Sequence, residues 1–411
     1  MKKRRKIFII LFLINVLFII SSCTGISVIK PGESSNITNN VENNITNTVV
    51  NYENITIKDL ESCIVNTSKM LEQSTIGVEL KATHRTLVNG KYVTSEDTES
   101  IGSGVIYKRI ENYEDDKLVS YTYYAFTNRH VVSGSNSEYT YNVYAYLGSE
   151  DTELKAKILG MDSKVDMAVI TFEHTTLIQP VEIADSDEVE AGQFVIAIGN
   201  PNGFEYYGSV TFGVISGKLR YVPEDQDNDG INDFNATYIQ HDASINPGNS
   251  GGGLFTIDGK LIGINTMKLV DDKTDNMGFA VPSNVLKSIA ENYIEKGIEI
   301  VRPRLGVTTI PVSDLTNYII AQNGLKALPD IYQGKKYGLY VTDITKNSSI
   351  STCNIQIDDI LLEFDGIKLY NSTILSAKLN SLSEYFVGSS VEITYYSRAK
   401  GEIVTETITL K

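Results

Sequence analysis

The chain of 411 residues is 42 % hydrophobic and 21 % charged. At roughly 100–200 residues per domain it holds two or three domains, and this balance excludes a wholly disordered or fibrous protein. Its formal charge of −15 repels polyanions and argues against nucleic acid as a partner.

The charge is unevenly divided. Lys2, Lys3, Arg4, Arg5 and Lys6 place five positive charges in the first six residues. Without residues 1–22 the chain carries 31 basic against 51 acidic side chains, a net −20. Ile7 to Ile20 form an apolar run broken only by Asn15. The run has secretory-signal length and falls short of the ~20 residues of a spanning helix. Ser21 and Ser22 then precede Cys23. This arrangement resembles a bacterial lipoprotein signal, which implies removal of 1–22, lipidation of Cys23 and an extracytoplasmic, membrane-anchored place in the cell envelope. With Cys23 so used, only Cys63 and Cys353 remain, too few for a disulfide framework.

Residues 23–73 read as a flexible tether, rich in Asn over 24–58 and without a lasting period of 2 or 3.6. Residues 74–300 are a succession of short β-rich runs, among them Ile76–Leu80, Gly104–Tyr107, Tyr121–Phe126, Met167–Phe172, Phe194–Ile198 and Leu261–Asn265. Such runs without intervening long helices predict an all-β barrel or sandwich. A helix follows, with Ser283 as its N-cap, Leu286, Ile289, Ala290, Tyr293 and Ile294 on one face, and Gly297 as its stop. The charged stretch Lys108 to Ser120 reads as a solvated loop. Residues 301–411 form a small α/β module with a helix near 372–383 and a closing hairpin around 399–401.

One constellation carries chemistry. Ser250 lies in Asn246-Pro247-Gly248-Asn249-Ser250-Gly251-Gly252-Gly253. Flanking glycines allow tight turns and close substrate approach, which suits a nucleophile. Backbone amides over Gly248, Asn249 and Ser250 form a candidate oxyanion hole, with Gly248 and Ser250 as the pair of donors. A serine hydroxyl needs a base beside it. Of four histidines, His130 follows an apolar strand in Phe126-Thr127-Asn128-Arg129-His130-Val131-Val132. A carboxylate must fix its tautomer; Asp166 and Asp162, both just before a strand, compete for that role.

Ile101-Gly102-Ser103-Gly104-Val105, Thr127 to Val132, Asp166-Met167-Ala168-Val169, Ile196 to Gly203, Ser209 to Ser216 and Asn246 to Gly252 together resemble the HtrA/DegP family of trypsin-like serine proteases. The resemblance implies a mainly β fold, a chymotrypsin-like double β-barrel followed by a small α/β PDZ domain. It implies His130 as general base, Asp166 as its orienter and Ser250 as nucleophile, with no cofactor required. Three residues depart from the family pattern: Gly253 stands where Pro is usual, His241 where Thr is usual, and Asp358 where Gly-Asp is usual. Ser244, six before Ser250, is not acidic, so a basic P1 preference is not indicated, and relatives imply small or medium aliphatic P1 residues. Arg304, Leu305, Gly306 and Val307 match the family's peptide-carboxylate loop, with a groove for peptide C-termini beside it. An insertion over 312–337 is placed where it can cover that groove.

Asp225, Asp227, Asp229 and Asp233 alternate around Gly230, a pattern that suits Ca²⁺. No Glu stands at the twelfth position, so the segment is not a full EF-hand. The resemblance as a whole implies an exported, ATP-independent endopeptidase acting on unfolded or misfolded proteins, assembled as a homo-oligomer, a trimer being common in the family. The alternative is a proteolytically weak or inactive chaperone-like peptide-binding lipoprotein.

Overall fold

A computed structural model describes residues 56–148, 153–201, 204–224, 234–266 and 277–411. Helix α1 (Ile57–Glu72) opens it. The expected tether through residue 73 is corrected here. Thr56 and Asp59 form a capping box, and Ile64, Thr67 and Leu71 turn one helix face onto the body. Thr67 Oγ1 donates to the Ile257 carbonyl at 2.8 Å.

Strands β1 (Thr75–Val88), β2 (Lys91–Glu114), β3 (Lys117–Thr127), β4 (Thr140–Tyr146), β5 (Glu153–Asp162) and β6 (Met167–His174) close a barrel in the order β1-β2-β3-β6-β5-β4. Between β3 and β4 lies the single turn α2 (Arg129–Val132). Ile76, Val78 and Leu80 alternate into the barrel interior against Ile106, Ala125 and Ile170, the period of 2 that strands require. Asn89 and Gly90, at φ 51° and 76°, make the two-residue turn that matches strand twist. The stretch Lys108 to Ser120 is no loop. β2 and β3 stay paired as far as Glu114 and Lys117, where Asp115 and Asp116 turn at φ 46° and 62°. Lys108 and Arg109 lie over the Tyr124 and Tyr121 rings, so these charged residues sit on a paired strand.

A second barrel runs β10-β11-β12-β9-β8-β7, from β7 (Phe194–Gly199), β8 (Ser209–Glu224), β9 (Phe234–His241), β10 (Gly253–Thr256), β11 (Leu261–Thr266) and β12 (Gly278–Pro282). Between the barrels one shared core packs Val105, Phe126 and Met167 against Ile198, Phe255 and Val281. Helix α3 (Ser283–Ile289) continues as a π turn over Ala290–Ile294. Ser283 is not its cap: Pro282 holds that position, and Ser283 Oγ donates to the Ala184 carbonyl at 2.7 Å.

The C-terminal module contains β13 (Val307–Pro311), α4 (Asn317–Gln322), β14 (Leu339–Ile344), β15 (Ile360–Phe364), β16 (Ile367–Lys368), α5 (Ser372–Ser381), β17 (Ser390–Ser397) and β18 (Glu402–Thr409). Its sheet runs β13-β14-β15-β17-β18, with β16 paired to β15. Leu339, Val341 and Leu361 face a core with Leu375 and Leu379 of α5. Tyr340, Ile360 and Leu362 face the other way, onto Leu315, Leu325, Leu328 and Tyr332 of the insertion. The 312–337 segment therefore covers the sheet face opposite α5 and leaves the groove side open.

Candidate active site

β3 ends at Thr127, and α2 lifts His130 out of the first barrel. Asp166 sits in the turn between β5 and β6 at φ 50°, a left-handed backbone that Asp tolerates better than most side chains. Its carbonyl accepts from the Arg129 amide at 3.1 Å and from Asn128 Nδ2 at 2.9 Å. Its carboxylate is aimed by these bonds. Asp166 Oδ2 accepts from His130 Nδ1 at 2.6 Å and from Thr266 Oγ1 at 3.2 Å, while Oδ1 accepts from the His130 amide at 3.0 Å. The Asp166 side chain is 4 % exposed and that of His130 32 %. A buried carboxylate on Nδ1 holds the proton there and leaves Nε2 as the basic nitrogen. Asp162 serves elsewhere: its oxygens accept from the Lys164 amide at 2.8 Å and from Arg302 at 2.6 Å.

Ser250 is buried, at the end of a loop held between the barrels. The Ser103 amide donates to the Ser250 carbonyl at 2.8 Å. Gly251 follows at φ 84°, where a Cβ would stand 2.0 Å from the Ser103 carbonyl oxygen; only glycine fits. Gly102 lies between a Val131 methyl and the Ser250 carbonyl, so the same strand backs both the His130 turn and the serine loop. Among the described residues no hydrogen bond joins Ser250 to His130. Such contacts often tighten only with substrate bound.

The Asn249 amide donates to the Asn246 carbonyl at 3.0 Å. That corrects its expected place in the oxyanion hole, because its one hydrogen is already taken. The Gly248 and Ser250 amides donate to no described residue. Gly248 holds φ 97°, open to glycine alone. Two unpartnered amides beside a serine can stabilise an oxyanion.

His241 is fully buried, and neither ring nitrogen bonds a described residue. Burial pushes its imidazole down to about 4, against smaller opposing pulls from Asn265, Asp242 and the Ala243 backbone. Asp242 Oδ1 accepts from the Val214 amide at 2.6 Å, a structural bond. Ser244 is exposed, and its carbonyl accepts from Thr211 Oγ1 at 3.1 Å. At Gly253 a Cβ would meet the Phe255 ring at 2.1 Å, so this departure from the family pattern is matched by local packing.

Arg304 to Val307 enter β13 beside α5. The Arg304, Leu305 and Gly306 carbonyls accept from Ser349 Oγ, the Ile350 amide and the Thr345 amide. The Leu305 and Gly306 amides donate to no described residue. A groove of about 330 Å³ runs from Arg304 and Val307 past Leu375 and Leu379. Cys23 and Asp225, Asp227, Asp229 and Asp233 lie outside the described residues. Among the described residues no cluster of three His, Cys, Asp or Glu is placed to hold a metal, and no helix is long and apolar enough to cross a membrane.

Thr266, Ser103 and Asn128 were not legible as site residues. Thr266 lies 100 positions from Asp166, and only barrel packing brings them together. Ser103 stands in the 101–105 segment, which entered only as part of the family resemblance.

Residues 102–264 match the family model described as a trypsin-like peptidase domain. The serine protease Do-like HtrA of Lactobacillus helveticus is 34 % identical over 316 residues, covering 76 % of this chain and 68 % of that protein. The serine protease Do-like HtrA of Bacillus subtilis (strain 168) is 33 % identical over 346 residues, covering 84 % and 70 %. Among solved structures, the HtrA-type protease AlgW with a decapeptide aligns with a TM-score of 0.57 at 24 % identity, over 84 % of this chain and 98 % of that one. That last likeness is one of fold. On the two curated relatives, the chain belongs to the HtrA family of trypsin-like serine proteases.

Proposed function

We propose that this protease is exported, tethered to the membrane through Cys23, and cuts unfolded or misfolded envelope proteins without ATP. The observation that carries the catalytic part is the buried Asp166 carboxylate on His130 Nδ1 at 2.6 Å, beside a serine loop with two unpartnered amides. Ser250 attacks the peptide carbonyl, and His130 Nε2 takes its proton and returns it to the leaving amine. The Gly248 and Ser250 amides receive the oxyanion, and water releases the acyl group from Ser250. Extended chains fit such a cleft because every backbone carbonyl is then open to attack.

The test is digestion of denatured, labelled casein by wild type and Ser250→Ala, with calcium and with chelator. Wild type cleaves and the variant falls by about 10⁴-fold or more; equal rates sink the triad. A chelator-insensitive rate and no heat on calcium titration remove Ca²⁺ from the 225–233 loop, which rests on carboxylate spacing alone. Lipidation predicts that Cys23→Ala leaves the membrane fraction; an unchanged distribution overturns it.

The pinned carbonyls and open amides of Leu305 and Gly306 support capture of a peptide carboxylate, as does the decapeptide held by AlgW. Equal affinity for free-acid and amidated peptides would defeat this. Self-association is supported by Phe194 and Phe212, whose rings lie 5.2 Å apart and stay two-fifths exposed. A monomer by light scattering would refute it. The second reading, a chaperone-like binder with weak proteolysis, rests on Gly253 and His241, where the chain departs from the family pattern. It predicts chain binding without cleavage in the casein assay.

A further inference from the structure

Ser103 stands in β2 of the first barrel, yet it touches the serine loop of the second barrel twice. Its amide donates to the Ser250 carbonyl at 2.8 Å, and its Oγ donates to the Gly248 carbonyl at 2.7 Å. Its own carbonyl accepts from Thr127 Oγ1 at 2.7 Å, three residues before His130. Asn200 completes the arrangement from the end of β7. The Asn200 amide donates to Ser103 Oγ at 2.9 Å, and Asn200 Nδ2 donates to the same oxygen at 3.1 Å. Asn200 is itself anchored, donating from Nδ2 to the Ile76 carbonyl at 3.1 Å and accepting at Oδ1 from the Gly208 amide at 3.0 Å. Both side chains are fully buried.

A serine hydroxyl has one hydrogen and two acceptor lone pairs. Here both lone pairs are filled by Asn200. The single hydrogen is left with one direction, the Gly248 carbonyl. That carbonyl opens the Gly248–Asn249 peptide, on the far side of the Cα from the Gly248 amide, which donates to no described residue; the φ of 97° at this Cα is available to glycine alone. A glycine is free to rotate about its peptides, so something outside the loop must fix it.

We infer that Ser103 and Asn200 are positioning residues of the oxyanion hole: Asn200 locks the Ser103 hydroxyl, and the hydroxyl holds the Gly248–Asn249 peptide, the anchor against which the Gly248 amide on the other side of the same Cα is oriented. The inference rests on the acyl-transfer reading above and adds residues that never touch the reacting atoms. An oxyanion donor acts only when it is preorganised, since reorientation during the reaction adds to the barrier. The lock sits across the two barrels, so correct docking of one on the other is a condition for a working hole.

The test uses the full chain and an internally quenched peptide taken from a casein site that the wild type cuts. Active sites are counted by exhaustive fluorophosphonate labelling, which removes any misfolded fraction. Ser103→Ala is expected to lower kcat per site by about 10- to 100-fold with KM within about twofold, the pattern of a contact that matters only in the transition state. A peptide aldehyde of the same sequence, whose hemiacetal oxygen enters the hole, should lose affinity by the same factor. Asn200→Asp keeps the shape but offers the Ser103 hydroxyl a competing carboxylate, and it should reproduce both losses. A kcat per site within about twofold of wild type for Ser103→Ala overturns the inference. So does a fall in active-site count with unchanged kcat, which is mere destabilisation. A wild type as slow as Ser250→Ala overturns the acyl-transfer reading itself, and the inference with it.

Discussion

Burial of His241 favours its neutral imidazole. Asn265, Asp242, Ala243 and Gly278 surround it, and no described group bonds either ring nitrogen. Burial holds its folded-state value at about 4, against 6.5 for the free side chain. Between these two values the unfolded chain binds a proton that the folded chain refuses. Stability contributed by the neutral ring is intact above pH 6.5 and falls as pH drops toward 4, by at most roughly 3 kcal/mol. Chemical denaturation of wild type and His241→Thr at pH 7.5, 5.5 and 4.5 checks this. The wild type should lose more stability than the variant on acidification, and parallel slopes would refute it. The sequence marked this residue as a departure from the family pattern but not its surroundings. The triad positions were legible because each lies within a short contiguous motif. The contacts of Thr266, Ser103 and Asn200 were not, because they depend on neighbours that only the closed barrels bring together.

At the scale of elements, α1 departs furthest from the sequence expectation. Its capping box and its face of Leu60, Ile64, Thr67 and Leu71 were present in the sequence, but the Asn-rich stretch before it dominated the composition. The helix docks by a narrow face on the 257–259 turn of the second barrel. Leu71 is its buried anchor, so Leu71→Ala should destabilise the protein by about 2–4 kcal/mol. A denaturation midpoint equal to wild type would show the helix to be an ornament on the surface. The β2–β3 hairpin departs from expectation for a related reason. Charge suggested solvent, whereas pairing continues past the barrel rim and cross-strand tyrosines cover the basic stems.

Across the whole molecule, the C-terminal module is fastened to the protease body by buried contacts. Arg302 donates to Asp162 Oδ2 at 2.6 Å and to the Asn380 carbonyl at 2.7 Å. Leu382 closes α5 and packs into the core shared by the barrels. Asp162 is 3 % exposed, so Arg302→Ala strands a buried carboxylate and should cost about 3 kcal/mol. Asp162→Asn on that background should recover part of the loss; failure to do so would place Arg302's contribution elsewhere. Two barrels and a module were legible from the strand rhythm and family order, but this fastening was not, since Asp162 and Arg302 lie 140 positions apart. The closure of both barrels has a further consequence, for colloidal behaviour. Under the proposed function, unfolded chains would bring segments seeking a free strand to zipper onto. Closed barrels offer no such edge along their paired length. In the C-terminal sheet the ends are β13 and β18, and β13 borders the open groove. A sticky chain thus meets unpaired backbone at β13, beside the groove, and at β18, while the barrel walls close on themselves.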